Sequence, residues 1–428
     1  MDIYEAAQNA RKAAIQLAAI DGDKKNEALR AIAKALEKNK HAIEKANSID
    51  LENSEKEQAA MPLLKRLKFG EEKIKDVVQG IQSLIGLEDP VGKIQLKTEL
   101  DKDLILTRIA SPIGVIGVIF ESRPDALVQI SALCLKSGNA VLLKGGSEAK
   151  ETNKILFQII KKATEDIGIP TGWIALMENR QDVNAILKMD KFIDLLIPRG
   201  SNEFVSYIMK NSNIPVMGHA DGICHTYVDQ EADSDLAVKV VTDSKVQYVA
   251  VCNALETLLV HQEIAPIFLP KLKASLDQYK VLIKGCEKTR NIIHAEAADE
   301  ADWQTEYLDY ILSIKIVDNL QEAIDHINNY GSGHTDCIVT KNEETAAQFM
   351  MLVDSGNVFH NVSTRFSDGF RYGFGAEVGV STAKIHARGP VGIEGLLIYK
   401  YKLCGNGHIV ADYATGEKHF THKKIITL

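Results

Sequence analysis

The stretch GVIGVIF at residues 114–120 decides the fold of this chain. Its unbroken run of apolar side chains is typical of a strand buried on both faces, as in a parallel sheet. Pro124 is well suited to the first turn of a helix, because its missing N–H would have no partner there. The helix ends at Ser137-Gly138-Asn139, and AVLLK at residues 140–144 follows. We therefore predict a βαβ unit over residues 114–144.

The alternation of helix and strand patterns continues outward from this unit. It extends through residues 155–160, 173–177 and 195–197, and a second αβ set begins after about residue 225. The first fifty residues instead keep one apolar helical stripe opposite a face of Lys and Glu. This order of elements predicts an α/β protein built from doubly wound parallel sheets.

Two segments do not fit the alternation. Residues 97–112 favour a β-hairpin, and LLIYKY at residues 396–401 favours a strand that no tight turn pairs with its predecessors. An isolated late strand often joins another sheet or another subunit. We therefore expect these segments to mediate assembly into a homo-oligomer, either a dimer or a tetramer.

Composition limits the classes of function. The chain has 428 residues, 45% of them hydrophobic, with a formal net charge of −8, so a large core in more than one domain is expected. Lys and Arg are not clustered among aromatic residues, which argues against a nucleic-acid partner. No apolar run approaches the roughly 20 residues of a membrane span, and the N-terminus does not resemble a secretory signal, so we expect a cytoplasmic protein. Six scattered cysteines without a CxxC pair predict neither disulfides nor a metal site.

Cys252 is the first candidate for chemistry. It follows an apolar run and precedes a helix-like stretch, and a thiol at a helix N-terminus is favoured as the thiolate. A thiolate suits nucleophilic attack on an acyl carbonyl. The alternative is a buried core cysteine, which is the commoner role of a lone cysteine. The local sequence does not decide between the two.

Two loops follow predicted parallel strands, at the edge where doubly wound sheets bind cofactors. Lys144 is followed by two glycines and Ser147, so this loop could hold a ribose or its 2′-phosphate, although Lys144 could equally be a solvated turn lysine. In IPRGSN at residues 197–202, Arg199 and the backbone N–H groups before the next helix suit a pyrophosphate. Neither loop contains a GxGxxG fingerprint.

Longer motifs resemble a known family. PIGVIGVI at residues 112–119, SGNAVLLK at 137–144 and the cysteine segment have the order seen in the aldehyde dehydrogenase superfamily. More narrowly, five motifs resemble the gamma-glutamyl phosphate reductases: FESRPD at 120–125, LKGGSEA at 143–149, CNALETLLVH at 252–261, GFGAEVG at 373–379 and HARGPVG at 386–392. The resemblance covers the chain from about Lys25 to Gly407.

The resemblance implies an aldehyde dehydrogenase-like fold with two doubly wound αβ domains and a small β element for oligomerisation. Residues 1–98 and 114–224 would form an NADP-binding Rossmann-like domain, and residues 225–372 the catalytic domain with Cys252. Residues 99–113 and 393–428 would form the oligomerisation strands. Residues 373–392 would be a segment returning between the domains.

The resemblance also implies roles for individual residues. Cys252 matches the catalytic cysteine, Lys144 the lysine at the adenosine ribose, and Glu306 the glutamate at the nicotinamide ribose. Gly200 and Ser201 match the loop that faces the cofactor.

The remaining candidate site residues are expected to bind the substrate. Ser122 takes the place of the superfamily's oxyanion-hole asparagine. The expected substrate carries a phosphate and a carboxylate, so Arg123, Arg365 and Arg388 are candidates to bind it. His219 stands where hydrolytic relatives have a water-activating glutamate, and we expect it to be structural.

The family reduces L-glutamyl 5-phosphate with NADPH to L-glutamate 5-semialdehyde and phosphate in proline biosynthesis. We therefore expect that activity, through a thioester on Cys252, with a small acyl phosphate as substrate and the upstream glutamate kinase as a candidate partner. Lys144 can serve the ribose of either NADP or NAD. The alternatives are a broad or coenzyme A-dependent aldehyde dehydrogenase and a non-catalytic binding protein with this fold.

Overall fold

The computed structural model describes residues 2–59, 61–178 and 182–427. The helices of this part of the chain are α1 (Ile3–Leu17), α2 (Gly22–Lys38), α3 (Lys40–Lys56), α4 (Met61–Leu67), α5 (Glu71–Gly86), α6 (Pro124–Lys136), α7 (Lys150–Glu165), α8 (Asp182–Ile186), α9 (Asn202–Asn211), α10 (Ser234–Val246), α11 (Ala265–Asp277), α12 (Glu287–Arg290), α13 (Leu320–Tyr330), α14 (Glu343–Leu352) and α15 (Val410–Ala414). Within the described ranges, no helix combines the length and apolar character that crossing a membrane requires.

The strands of these described ranges lie in four sheets. They are β1 (Ile94–Asp101), β2 (Leu104–Pro112), β3 (Val115–Phe120), β4 (Ala140–Gly145), β5 (Ile174–Met177), β6 (Leu195–Arg199), β7 (Cys224–Val228), β8 (Leu255–His261), β9 (Leu282–Gly285), β10 (Glu296–Ala297), β11 (Ile311–Val317), β12 (Thr335–Val339), β13 (Asn357–His360), β14 (Gly379–Ser381), β15 (Gly389–Val391), β16 (Leu397–Cys404) and β17 (Lys423–Thr427).

The first parallel sheet has the strand order β5-β4-β3-β6. All six residues of β3 are buried, because alternate side chains face two different cores. Ile116 and Val118 pack in the core that includes residues of α2, α5 and α6, whereas Val115 and Ile119 pack in the core that includes α1. The predicted βαβ unit and the helical N-terminus are therefore confirmed.

The order in which strands are added to this sheet reverses at β3. Strands β4 and β5 lie on one side of β3, and β6 lies on the other. Ligands of open α/β sheets bind beyond the carboxyl ends of the strands at such a switch point. The topology therefore places a binding crevice between the residues that follow β3 and those that follow β6.

The second parallel sheet has the order β10-β9-β11-β8-β7-β12-β13. Cys252 lies in the turn between α10 and β8, at the amino end of β8. The predicted helix-like stretch after Cys252 is wrong, because residues 255–261 form a strand whose seven residues are all buried. A short apolar run cannot be assigned to a buried helix or a buried strand by its periodicity.

A third sheet is antiparallel and has the order β16-β2-β1-β17. Strand β16 pairs with β2 from Leu397 opposite Pro112 to Cys404 opposite Ile105. The predicted hairpin and the late strand are confirmed, and the late strand joins the hairpin. Strand β1 begins at Ile94, before the domain boundary expected at residue 99.

Candidate active site

A cavity of about 410 Å³ lies at the switch point of the first sheet. The residues after β3 and β6 line it, together with residues 378–380 and His219. Five residues that the sequence predicted for the site share this lining: Ser122, Arg123, Arg199, Gly200 and Ser201. The crevice expected from the strand order therefore coincides with the residues expected from the motifs.

The loop before α9 forms one wall of the cavity. Ser201 begins the helix by accepting a hydrogen bond from the Phe204 N–H through its side chain (3.4 Å). The Ser201 N–H donates to the Glu121 carboxylate (3.1 Å). Asn202 Nδ2 donates to Glu306 Oε2 (2.7 Å), so Glu306 reaches the same loop from the segment before β11. The structure thus brings the two predicted cofactor contacts, the loop at Gly200 and Glu306, together.

The end of β4 lies beside the end of β3. Lys144 is buried there, and its ammonium group donates to the Gly145 carbonyl (2.7 Å). Ser147 is exposed at the start of a short 3-10 turn. The next residue, Glu148, faces the cavity and accepts hydrogen bonds from the backbone N–H and the hydroxyl (2.9 Å) of Ser122.

Ser122 has an unusual backbone. Its φ of +49° lies in the left-handed region, which is costly for a residue other than glycine and which proteins retain mainly at functional sites. The Ser122 hydroxyl is donated to Glu148. The structure therefore gives this hydroxyl a partner other than the oxyanion for which the sequence proposed it.

The turn that carries Cys252 is packed tightly at its backbone. A methyl group on Gly222 would lie 2.5 Å from Cys252 Cβ and still closer to the Cys252 carbonyl oxygen and Cα, so only glycine fits at this position. On the far side, Thr364 Oγ1 donates to the Asn253 carbonyl (2.7 Å), and Asn253 Nδ2 donates to the Ser367 carbonyl (2.7 Å). These contacts fix the turn, while the Cys252 side chain stays partly exposed.

Two histidines lie beside the Cys252 thiol. Sulfur and one ring nitrogen from each of His219 and His334 all lie within 4.8 Å of one another. His219 Nδ1 is 2.9 Å from the Val380 carbonyl, which can only accept, so Nδ1 carries the hydrogen and Nε2 keeps its lone pair. Burial lowers the pKa of His219, and this favours the neutral ring.

His334 is fully buried. Its Nδ1 lies 2.8 Å from Thr335 Oγ1, and its Nε2 is buried without a hydrogen-bond partner within the described ranges. The rings of His334 and His219 meet edge to face with centroids 4.9 Å apart. The sequence interpretation treated His219 as structural and missed His334, because three separate segments meet here and their spacing along the chain carries no signal.

Arginines approach the thiol from two sides. Burial lowers the pKa of Arg199, and the nearby charge of Arg123 acts in the same direction, whereas Glu377 and Cys252 oppose it. Arg365 is nearly buried, its Nε donates to Gln247 Oε1 (3.0 Å), and burial lowers its pKa while Cys252 raises it. Guanidinium groups remain protonated in proteins, so both side chains contribute positive charge near the thiol.

Arg388 does not belong to this group. Its Nη1 binds Asp354 Oδ1 (2.9 Å), its Nη2 donates to the Asp354 carbonyl (2.9 Å), and its Nε donates to the Thr382 carbonyl (3.2 Å). These contacts fix Arg388 in a structural ion pair. Its substrate-binding role therefore stays a prediction.

A second thiol, Cys224, lies next to the Cys252 turn and is unsuited to be a nucleophile. It is fully buried, and burial raises its pKa well above the usual range, with Asp336 as a further cause. Its Sγ lies 3.2 Å from the Cys252 carbonyl oxygen and donates to it. Of these two neighbouring thiols, Cys252 is the one that a substrate can reach.

Known proteins share this chain's sequence and fold. The model of the aldehyde dehydrogenase family matches residues 1–302 and 291–377. The gamma-glutamyl phosphate reductase of Acetivibrio thermocellus is 67% identical over 99% of this chain and 99% of its own length, and that of Ruminiclostridium cellulolyticum is 64% identical over 99% and 98%. The crystal structure of gamma-glutamyl phosphate reductase from Thermotoga maritima has a TM-score of 0.94 at 39% identity, covering 96% of this chain and 100% of that one.

These similarities confirm the fold class that the motifs implied. The parallel sheets and the antiparallel third sheet form an aldehyde dehydrogenase-like α/β fold. The chain belongs to the aldehyde dehydrogenase family and, within it, to the gamma-glutamyl phosphate reductases.

Proposed function

We propose that this reductase of proline biosynthesis converts L-glutamyl 5-phosphate and NADPH to L-glutamate 5-semialdehyde and phosphate through a thioester on Cys252. One observation carries the proposal. The partly exposed thiol adjoins His219, and His219 lines the cavity at the switch point of the first sheet. The nucleophile and the cofactor crevice are therefore neighbours.

The chain's own residues account for thioester formation. The Cys252 thiolate attacks the 5-acyl carbon, the carbon–oxygen bond to phosphate breaks, and phosphate leaves with the bonding electrons. His219 Nε2 keeps a lone pair, and one nitrogen of this ring lies within 4.8 Å of the Cys252 sulfur, so we assign His219 to accept the thiol proton. Phosphate is a good leaving group, so this step needs no strong general acid.

The residues of the cavity fit a dinucleotide cofactor. The Ser201 N–H already binds an anion, the Glu121 carboxylate, at the N-terminus of α9, and a pyrophosphate would replace that carboxylate. We assign Arg199, Gly200 and Ser201 to the pyrophosphate side. Lys144 and Ser147 are assigned to the adenosine ribose or its 2′-phosphate, and Glu306 to the nicotinamide ribose. NADPH, when bound there, supplies the hydride that reduces the thioester.

The substrate's two anionic groups need positive partners. We assign Arg123 and Arg365 to this role because one lines the cavity and the other lies beside the cysteine turn. Arg388 is left out because Asp354 already binds it. For the oxyanion we assign the Cys252 backbone N–H, with Ser122 as a second donor only when Glu148 releases its hydroxyl.

Water must be kept from the thioester, since hydrolysis would waste it. Hydrolytic members of the superfamily activate water with a glutamate, and His219 stands at that place here. The absence of that glutamate fits a reaction that ends in reduction rather than hydrolysis.

The substrate test is NADPH oxidation by the full chain with freshly generated glutamyl phosphate, compared with acetyl phosphate and acetyl-coenzyme A. We expect turnover with glutamyl phosphate to exceed both by orders of magnitude. In the reverse direction, oxidation of glutamate semialdehyde should require inorganic phosphate. Phosphate-independent oxidation would favour a broad aldehyde dehydrogenase, and a requirement for coenzyme A would favour an acylating one. No turnover with any acyl donor would favour a binding protein.

We further propose the domain division and assembly expected from the sequence. Residues 1–98 and 114–224 would bind the cofactor, residues 225–372 would carry the nucleophile, and residues 373–392 would return between them. Residues 99–113 and 393–428 would pair subunits through the third sheet, where Tyr399, Tyr401 and Leu403 of the edge strand β16 are exposed. Light scattering should then give the mass of a dimer or a tetramer.

A further inference from the structure

We propose that His219, Cys252 and His334 form a binding site for a zinc-class divalent cation, and that a cation bound there blocks the nucleophile. The three ligand atoms come from three separate segments and lie within 4.8 Å of one another. Zinc takes nitrogen at about 2.0–2.1 Å and sulfur at about 2.3 Å, so ligand atoms in a tetrahedral site lie roughly 3.4–3.6 Å apart. Small side-chain rotations close the remaining gap.

His334 gives an independent sign of a ligand. Buried polar atoms nearly always have a hydrogen-bond partner, yet within the described ranges His334 Nε2 has none, although the residue is fully buried. The opposite nitrogen of that ring is 2.8 Å from Thr335 Oγ1. A metal-binding histidine is typically held in this way, with one nitrogen fixed by a neighbouring polar group and the other aimed at the metal.

His219 repeats the same arrangement. Its Nδ1–H is donated to the Val380 carbonyl, which leaves Nε2 as the nitrogen with an available lone pair. The two rings meet edge to face, and one nitrogen of each lies within 4.8 Å of the Cys252 sulfur. Each histidine therefore has one nitrogen beside a neighbouring oxygen and a second nitrogen available to a metal.

The ligand set selects the kind of cation. Two imidazoles and a thiolate favour Zn²⁺ and its neighbours in the transition series, whereas Mg²⁺ and Ca²⁺ prefer oxygen ligands. Binding replaces the thiol hydrogen by the metal, so the Cys252 proton is released to solvent. Arg199 and Arg365 repel a dication electrostatically. We therefore infer reversible, inhibitory binding rather than a permanent structural ion.

The consequence for activity follows from the sulfur atom. A cysteine sulfur bound to Zn²⁺ donates one electron pair to the metal and loses negative charge, and the ion obstructs the approach of the acyl carbon, so thioester formation stops. This inhibition depends on the proposed function, because it requires Cys252 to be the nucleophile. Binding of the cation does not depend on it.

The experiment uses Co²⁺ as a coloured substitute for Zn²⁺ on the full-length protein, reduced with a thiol-free reductant. We expect one Co²⁺ per chain, a sulfur-to-cobalt charge-transfer band, and visible bands typical of a tetrahedral site. Zn²⁺ should remove all of them. Cys252→Ser should lose the charge-transfer band, and His334→Asn and His219→Asn should each weaken binding by at least about 100-fold.

The matched controls are Cys404→Ser, which removes an exposed thiol, and His386→Asn, which removes an imidazole from another segment. Both should keep the spectrum. A charge-transfer band that survives Cys252→Ser, or an affinity unchanged in His334→Asn, would overturn the site. Should His334→Asn fail to fold by circular dichroism, the His219→Asn titration decides the outcome.

Activity separates this inference from the proposed function. Zn²⁺ should inhibit NADPH oxidation over the same concentration range in which it displaces Co²⁺, and EDTA should restore the rate. A Co²⁺ spectrum as expected without inhibition by Zn²⁺ would uphold the metal site and refute Cys252 as the nucleophile. Absence of the spectrum in a protein that reduces glutamyl phosphate would refute the metal site alone.

Discussion

The two parallel sheets contribute opposite edges to the candidate active site. The first sheet contributes its carboxyl edge, where the residues after β3 and β6 face the cavity. The second sheet contributes its amino edge, where Cys252 precedes β8 and His334 precedes β12. A general rule of α/β folds predicts the first arrangement and gives no expectation for the second.

The difference lies in what holds each edge in place. At the first edge, the residues that matter follow directly after a strand, and the carboxylates of Glu121, Glu148 and Glu306 bind their loops. At the second edge, contacts from distant segments lock the turn: the Thr364 hydroxyl donates to the Asn253 carbonyl, the Asn253 amide donates to the Ser367 carbonyl, and Gly222 packs against Cys252. Under the proposed assignment, the strand order locates the cofactor side, whereas only contacts between distant segments locate the nucleophile side.

The largest effect should come from removing the nucleophile at the second edge. Cys252→Ala should lower the rate of glutamyl phosphate reduction by about 10⁴- to 10⁶-fold, the scale seen when a covalent nucleophile is lost. Binding of NADPH, measured by fluorescence titration, should change little because the first edge is untouched. Cys404→Ala, an exposed cysteine, is the control and should retain full activity. Substantial turnover by Cys252→Ala would show that Cys252 is not the nucleophile, and the comparison of the two edges would then have no basis.

The next effect concerns a buried ion pair at the second edge. Lys245 at the end of α10 and Glu256 in β8 are both fully buried and 2.6 Å apart, and Glu256 Oε1 also accepts the Leu308 N–H (3.2 Å). Glu256→Gln leaves the lysine without its partner, so the free energy of unfolding should fall by about 3–5 kcal/mol.

Denaturant unfolding followed by circular dichroism measures this change. The control is Asp166→Asn in the exposed pair with Lys162 of α7, which should cost less than about 1 kcal/mol. If both variants lost the same free energy of unfolding, burial would not make the ion pair at the second edge different from an ion pair at the surface.

These contrasts explain what the sequence could predict. The strand before Glu121, the loop at Gly200 and the position of Lys144 at the end of a strand follow from apolar runs and strand ends, which are local properties. His334, Glu148 and the packing of Gly222 on Cys252 could not be predicted, because each depends on contact between segments far apart in the chain.

The misjudged stretch after Cys252 shows a related limit. A helix is predicted there, but seven consecutive buried residues carry no period that separates a strand from a helix. The substrate role of Arg388 stays a prediction, and only the fold shows that Asp354 binds this arginine. A local sequence pattern identifies an element or a motif, but the residues that this element or motif contacts in the fold decide its role.

A smaller effect should follow from crowding the turn at the second edge. Gly222→Ala places a methyl group against the Cys252 backbone, so the thiol must shift by a substantial fraction of an ångström. A displacement of that size costs about 100-fold in turnover number. Gly80→Ala in α5 is the control, because a methyl group there meets nothing within 4 Å and should leave the rate unchanged. Steady-state kinetics would contradict the packing argument if both variants kept the parent turnover number.

The smallest effect tests the first edge. The exposed Glu121 carboxylate accepts the Ser201 N–H, which we assign to the cofactor's pyrophosphate, so under this proposal NADPH displaces the carboxylate. Glu121→Gln removes the competing charge, and charges near a helix N-terminus contribute about 0.3–1 kcal/mol. We therefore expect NADPH to bind about two- to five-fold more tightly, measured by fluorescence titration at low ionic strength.

The matched control is Glu203→Gln, which removes the same charge from the first turn of α9. If displacement of the carboxylate is the cause, Glu121→Gln should improve binding more than Glu203→Gln, and added salt should not remove the difference, because screening acts equally on both charges. Equal improvement in the two variants would mean that net charge, and not occupation of the Ser201 N–H, limits binding. The first edge would then attract the cofactor only through its overall charge, and the proposal of a specific anion site at the N-terminus of α9 would be wrong.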